Sequence, residues 1–352
     1  EAKEITDRDS TCAFGNDRKW DTPPEKARLV LDEDEKPRIL RGVKASQLED
    51  TNPLFRRVAN LFEILTYEYW ALNYGHTITA AAAKHKVDYL SEEEGQQHVE
   101  QILRVKMEAA GHSPEEIDKL FSEERRMQTL QEKSDSLFAG GHDVIIARDH
   151  YVPGATTTDQ LASSGTLSWQ DHRHFIAFTV DGMDQLYRSN RYARYVAVFQ
   201  NWLAPAGASF DHLHKQLVAI DEHGLQNEVE IAQVRRNANM YNEWAVDYAS
   251  RFNLVFAEND HAIAFAGFGH RFPTLEVFSK SATTEPWLMS DEERDGVGRV
   301  LDGLDGELGR GLAELLSAEE VEALAERCAQ LLDDGIFPAP SGRTPAVPWP
   351  LF

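Results

Sequence analysis

The chain has 352 residues, 42% of them hydrophobic and 27% charged, with a formal net charge of −23 at pH 7. That length holds one large domain or two ordinary ones, each with a sizeable core. So acidic a balance argues against a duplex-binding surface, which needs clustered Lys and Arg against phosphate, and against docking on an anionic membrane. A local pocket can still hold a nucleotide.

Two cysteines, Cys12 and Cys328, give no disulfide framework and point to a reducing compartment. No apolar run approaches the ~20 residues of a membrane span. Glu1-Ala-Lys-Glu4 opens no signal-peptide core, so the expected location is the cytoplasm.

Residues 1–60 read as irregular and polar, with Thr22-Pro-Pro-Glu25 as a turn or helix start and Asp32-Glu-Asp-Glu35 as a solvated loop. A short apolar element then runs from Phe55 and is interrupted at Asn60. Over 76–137, the run Ala80–Ala83 and the boxes Ser91-Glu-Glu-Glu94 and Ser113-Pro-Glu-Glu116 predict a helical insertion of two or three helices. From Gly140 the period changes to a strand ending near His150, and a helix follows over 167–192. Tyr195 begins a strand, a small-residue loop and a second strand ending at Ile220.

A mixed segment covers 229–244, and strands are expected at 254–257, 261–266 and 274–278. Ser290 caps a helix, glycines between 296 and 311 predict a loose region, and Ser317 caps a last helix with Val321, Leu324, Cys328 and Leu331 as a core stripe. A Pro-rich tail starts at Phe337. The expected domains are 1–235, with the insertion at about 76–137, then a shortened 236–300, then helix and tail over 301–352.

The chemistry concentrates between Asn201 and Gln216. On a strand, residues two apart share a face and lie roughly 6.5–7 Å apart, so His212, His214 and Gln216 form one row. A neutral imidazole nitrogen can attack an α-phosphorus and hold the nucleotide as a phosphoramidate until an acceptor takes it. Its other nitrogen must be held as a donor for that. Gln216 can bind a phosphate oxygen but cannot donate a proton as an acid, which favours transfer over hydrolysis. The loop Pro205-Ala-Gly207-Ala-Ser209 offers backbone N–H groups and a hydroxyl, and Asn201 an amide.

Asn201 to Gln216 resembles the signature of galactose-1-phosphate uridylyltransferases, the transferase branch of the histidine triad superfamily. That signature is an Asn, then Gly-x-Ser, then His-Pro-His-x-Gln, and here Leu213 takes the place of the Pro. Gly141-His-Asp-Val-Ile-Ile146 with His150, Val58-Ala-Asn60-Leu-Phe62, Cys12-Ala-Phe with Thr22-Pro-Pro-Glu25, and Glu258 to Val277 with Ser290-Asp-Glu-Glu-Arg294 resemble further family segments. The resemblance covers roughly 1–62 and 140–300.

It implies an α+β fold of two histidine-triad-like halves, with antiparallel sheets flanked by helices. It makes His214 the nucleophile and Gln216 its phosphate-steadying partner, with Asn201, Gly207 and Ser209 as phosphate contacts and Asn60 as a contact to base or ribose. Cys12, His150 and His212 take three of the four places of a structural zinc. Gly15 stands where a second Cys belongs, so either Asp17 or water completes the set or the site stays empty. The family's His-rich hairpin is not recognisable, so Glu230 reads as structural.

The implied activity is movement of a nucleoside monophosphate from a nucleoside diphosphate sugar, a UDP-sugar first, to a sugar 1-phosphate or phosphate, in carbohydrate metabolism. The partners are these small molecules, with neither nucleic acid nor membrane, and a homodimer is an option because the family often binds sugar phosphate across a dimer interface. Phosphorolysis or hydrolysis of a nucleotide conjugate is an alternative, and so is a nucleotide- or metal-binding protein without turnover. Outside the motif, His172 and His174 read as helix surface, His261 and His270 as strand ends and turns, and His142 as a support for the site.

Overall fold

A computed structural model of the chain describes residues 3–5, 12–237, 239–267, 275–279, 291–313 and 315–335. His270, Arg271, the Ser290 cap and the tail from Phe337 lie outside the described residues. The fold is α+β, with antiparallel sheets flanked by helices. Among the described residues no helix is long and apolar enough to cross a membrane. The chain divides into two compact units, the first ending at Gly224 and the second beginning at Leu225.

The first unit is built on a six-stranded sheet in the order β2-β1-β3-β4-β6-β5. Its strands are β1 (Glu25–Leu31), β2 (Pro37–Arg41), β3 (Phe55–Ala59), β4 (His142–Ala147), β5 (Tyr195–Phe199) and β6 (His214–Ile220). Residues 1–60, expected to be irregular, therefore supply half of the sheet. Thr22-Pro-Pro-Glu25 leads into β1 and starts no helix.

The polar letters of β1 hide a buried ion cluster. Arg28 donates to Glu25 at 2.6 Å and to Thr51 Oγ1 at 2.9 Å, and Arg56 of β3 lies 3.7 Å from the other oxygen of Glu25. Buried charges persist only when paired in this way. The acidic run Asp32–Glu35 is, as expected, an exposed turn between β1 and β2.

One face of the sheet is closed by α7 (Trp169–Ser189), whose N-cap Ser168 accepts from the Asp171 N–H. Phe175 stacks on Phe55 with centroids 4.6 Å apart, and Phe178, Leu186, Leu213 and Leu217 complete this core. Each such side chain taken out of water contributes about 1.5–3 kcal/mol. Gly182 lets the helix come close, since a Cβ there would meet Leu217 at 2.9 Å.

After α1 (Tyr67–Tyr74), the insertion has more helices than its sequence suggests: α2 (Ala80–Leu90), α3 (Glu93–Ala109), α4 (Pro114–Leu120), α5 (Arg126–Lys133) and α6 (Asp135–Ala139). Helices α2 to α5 share a core of Tyr89, Val99, Ile102, Leu103, Ile117 and Leu130. Short tight turns break the run into pieces; at Gly95 a Cβ would stand 2.0 Å from the Tyr89 carbonyl oxygen. The tyrosines of α1 anchor the insertion to the sheet, Tyr69 and Tyr74 donating to Asp221 at 2.5 and 2.6 Å.

The second unit contains α8 (Gly224–Arg236), a π-helical turn at Asn242–Val246, α9 (Asp247–Arg251), and the antiparallel sheet β7 (Val255–Glu258), β8 (Ala262–Ala266) and β9 (Leu275–Ser279). Ala249, Ile263 and Phe265 are its core. The glycine-rich region is helical and not loose, forming α10 (Asp291–Leu304) and α11 (Glu307–Leu312). Its glycines serve a close turn: a Cβ on Gly309 would sit 1.7 Å from the Leu304 carbonyl oxygen. The last helix, α12 (Ala318–Asp334), has the expected capping box of Ser317 and Glu320 and ends at Gly335 with φ 65°.

Candidate active site

Strand β6 presents His214 and Gln216 on the face of the sheet opposite α7, level with Ile146 and Val144 of β4. His214 is buried, and Phe14 meets its ring edge-on at 5.3 Å. Its Nδ1 lies 2.7 Å from the carbonyl oxygen of His212. A carbonyl only accepts, so Nδ1 carries the proton and Nε2 keeps a bare lone pair. Burial holds the ring below its usual pKa, partly opposed by that carbonyl, so the neutral nucleophilic form dominates near pH 7. The requirement for a held nitrogen is met by backbone.

Gln216 is oriented with equal economy. Ile64 donates its N–H to His142 Nδ1 at 3.2 Å, which leaves the ring proton on Nε2. That Nε2–H donates to Gln216 Oε1 at 2.9 Å, and Asn60 Nδ2 donates to the same oxygen at 3.3 Å. With Oε1 engaged by two donors, the amide NH2 of Gln216 is the end left to meet an anion. Asn60 itself is fixed, its Oδ1 accepting from the Phe62 N–H at 2.9 Å. Burial lowers the His142 pKa, which suits its neutral supporting role.

Asn201, Gly207 and Ser209 lie together on the loop between β5 and β6. A short 3-10 turn at Ala204–Ala206 ends on Gly207 with φ 85°, a conformation that favours glycine. The Asn201 amide nitrogen is 3.8 Å from where a Cβ of Gly207 would stand. Phe210 packs on Phe14 at 4.3 Å and ties the loop's far end to the ring that touches His214. The near end is held from behind the sheet: Lys215 points toward α7, lies over the Phe175 ring at 4.7 Å, and donates to Gln200 Oε1 at 2.8 Å. Gln200 in turn donates to Ser164.

Cys12, His150 and His212, the three places the resemblance assigns to a metal, converge in the structure. Cys12 Sγ is 3.4 Å from Nδ1 of each histidine, and the two Nδ1 atoms are 3.0 Å apart. His212 Nε2–H donates to the Ala147 carbonyl at 2.6 Å, which leaves Nδ1 as a lone pair aimed at the cluster. Burial pushes His212 down to about 3 and raises the Cys12 thiol, against which the backbone N–H groups of Phe14 and Gly15 act. Burial lowers His150 as well.

One sulfur and two imidazole nitrogens, each able to present a lone pair, fit the donor set of a zinc ion and could offer three of the four ligands it takes. Asp17 lies on the 3-10 turn Asn16–Asp21 and, among the described residues, is not one of the converging donors. Arg56 donates to the Phe14 carbonyl at 3.1 Å and so ties the Cys12 turn to the ion cluster.

His172 and His174 lie on α7, and Glu230, on α8, accepts from Tyr241 at 3.0 Å and from Gln226 at 2.6 Å. The sequence did not single out Phe14, Ile64 or Lys215. Ile64 contributes only a backbone N–H, which no letter reveals, whereas Lys215, a charged letter between Leu213 and Leu217, could have been noticed.

These features define an α+β protein with a buried, backbone-held histidine on a sheet and a Cys/His2 cluster beside it. A family model described as a domain of unknown function, DUF4921, matches residues 1–320, and the chain belongs to that family. It is also similar to Protein Rv2133c of Mycobacterium tuberculosis (strain ATCC 25618 / H37Rv), with 38% identity over 64 residues. That match takes in 18% of this chain and 23% of the relative, so the chain spans under a quarter of the relative's length.

Proposed function

We propose that the chain is a nucleotidyltransferase that works through a nucleotidyl–histidine on His214. The observation that carries the reading is the 2.7 Å bond from His214 Nδ1–H to the His212 carbonyl, which leaves Nε2 free to attack. Nε2 attacks the α-phosphorus of a nucleoside diphosphate sugar, a UDP-sugar first. The P–O bond to the departing sugar phosphate breaks as the P–N bond forms. A phosphate oxygen of a sugar 1-phosphate, or of inorganic phosphate, then attacks the same phosphorus and the P–N bond breaks.

The Gln216 amide, with Asn201, Gly207 and Ser209, steadies the phosphate oxygens through both steps. Asn60 contacts base or ribose in this reading. The resemblance to galactose-1-phosphate uridylyltransferases supports it across the same residues. A zinc on Cys12, His150 and His212 would tie the Cys12 turn and the loop at His150 to the start of β6. Free thiols at Cys12 and Cys328 suit a cytoplasmic setting.

Incubation with UDP-glucose and ADP-glucose, followed by intact-mass measurement, is expected to show a nucleotidyl adduct that His214→Ala abolishes. Tight nucleotide binding without an adduct from any donor would end the enzyme reading. Rapid turnover with water as the sole acceptor would make the protein a hydrolase.

A further inference from the structure

Beside the Cys12–His150–His212 cluster lies a pocket of about 180 Å³, lined by Gly15, Asn16, Asn52, Arg148, Asp149 and His150. His150 belongs to both the cluster and the pocket lining, so the two adjoin. Asn16 donates its amide to Asn52 Oδ1 at 2.9 Å, while its own Oδ1 is buried without a hydrogen-bond partner. Buried acceptors left in this state are uncommon and ask for a donor. A metal-bound water is a donor of the right kind.

The charges behind the cluster point the same way, with the Asp211 carboxylate acting on His150 from the other direction. The buried ion cluster behind the Cys12 turn sets two guanidiniums, Arg28 and Arg56, against the one carboxylate of Glu25. A divalent ion with one thiolate and two neutral imidazoles adds a further positive charge. Within the pocket itself Arg148 and Asp149 pair at 3.1 Å and cancel. Three protein ligands with an open fourth position are the pattern of an exchangeable site, whereas closed structural sites carry four.

We propose that a metal held by Cys12, His150 and His212 keeps its fourth position open to this pocket, where a water donating to Asn16 Oδ1 rests and a small inorganic anion displaces it. The inference rests on the metal reading above and not on the nucleotidyl chemistry.

The test uses the full chain loaded with Co2+ and titrated with azide while the visible spectrum is followed. A saturable shift of the cobalt bands is expected, and X-ray absorption should count one sulfur per metal. Gly15→Cys restores a second thiolate to the turn; the backbone at Gly15, φ −52° and ψ 147°, admits any side chain. That variant should gain sulfur-to-cobalt absorption and lose the azide response. If it does not fold, the wild-type azide titration and sulfur count decide alone.

Stoichiometric cobalt with no azide response would overturn the open position while leaving the metal reading intact. An azide response that appears only in Asp149→Asn would overturn it too, by making Asp149 the fourth ligand. Failure to bind cobalt at all would remove the metal and the inference together, with the nucleotidyl adduct still separately measurable.

Discussion

His214 meets neutral pH uncharged because burial depresses its pKa. The sign follows: the ring protonates as pH falls through a value below about 6.5, and attack is lost in that direction. The rate of adduct formation, followed by mass from pH 5 to 8, should be flat above about 6.5 and fall below it; an inflection above pH 7 would contradict the site. Gln216 offers its NH2 because His142 and Asn60 occupy its oxygen. Gln216→Ala should slow adduct formation by about 10²–10³-fold, the range for one lost oxyanion donor, with little change in nucleotide affinity by calorimetry. The His212–His214–Gln216 row was legible because a strand repeats every two residues. The groups that fix its protons were not, since the His212 carbonyl and the Ile64 N–H are backbone and leave no trace in residue type.

At the scale of elements, a buried neutral histidine joins the insertion to the sheet's leading segment, beside the bond from Gln101 to Asp21. His98 donates from Nε2 to the Thr22 carbonyl at 2.8 Å and accepts at Nδ1 from the Tyr89 hydroxyl at 2.7 Å. Burial pushes its pKa down to about 4. The unfolded chain therefore binds a proton here that the folded chain refuses, and stability falls as pH drops from about 6.5 toward 4, by about 3 kcal/mol over the window. Urea unfolding across that range should show a steeper loss for wild type than for His98→Gln, and equal slopes would refute the assignment. Helix α7, the capped helix α12 and the strands on either side of the motif were readable from period and caps. Strand β1 was not, because its buried Glu25 and Arg28 look like surface letters, and α10–α11 was not, because glycines that permit a close turn look like glycines that loosen one.

At the scale of the whole molecule, every candidate residue from Cys12 to Gln216 belongs to the unit that ends at Gly224. A chain truncated after Gly224 is expected to form the same nucleotidyl adduct as the full chain; loss of the adduct from a truncated chain that folds by circular dichroism would show that the second unit takes part in the chemistry. Lys215 adds a consequence of another kind. The strand that sends His214 and Gln216 forward sends Lys215 backward, onto Phe175 and up to Gln200, the residue before Asn201. Substitutions in that hidden layer reach the loop without altering the nucleophile. Selection for a new donor can therefore act from the far side of the sheet, retuning the grip on phosphate while the attacking nitrogen stays as it is.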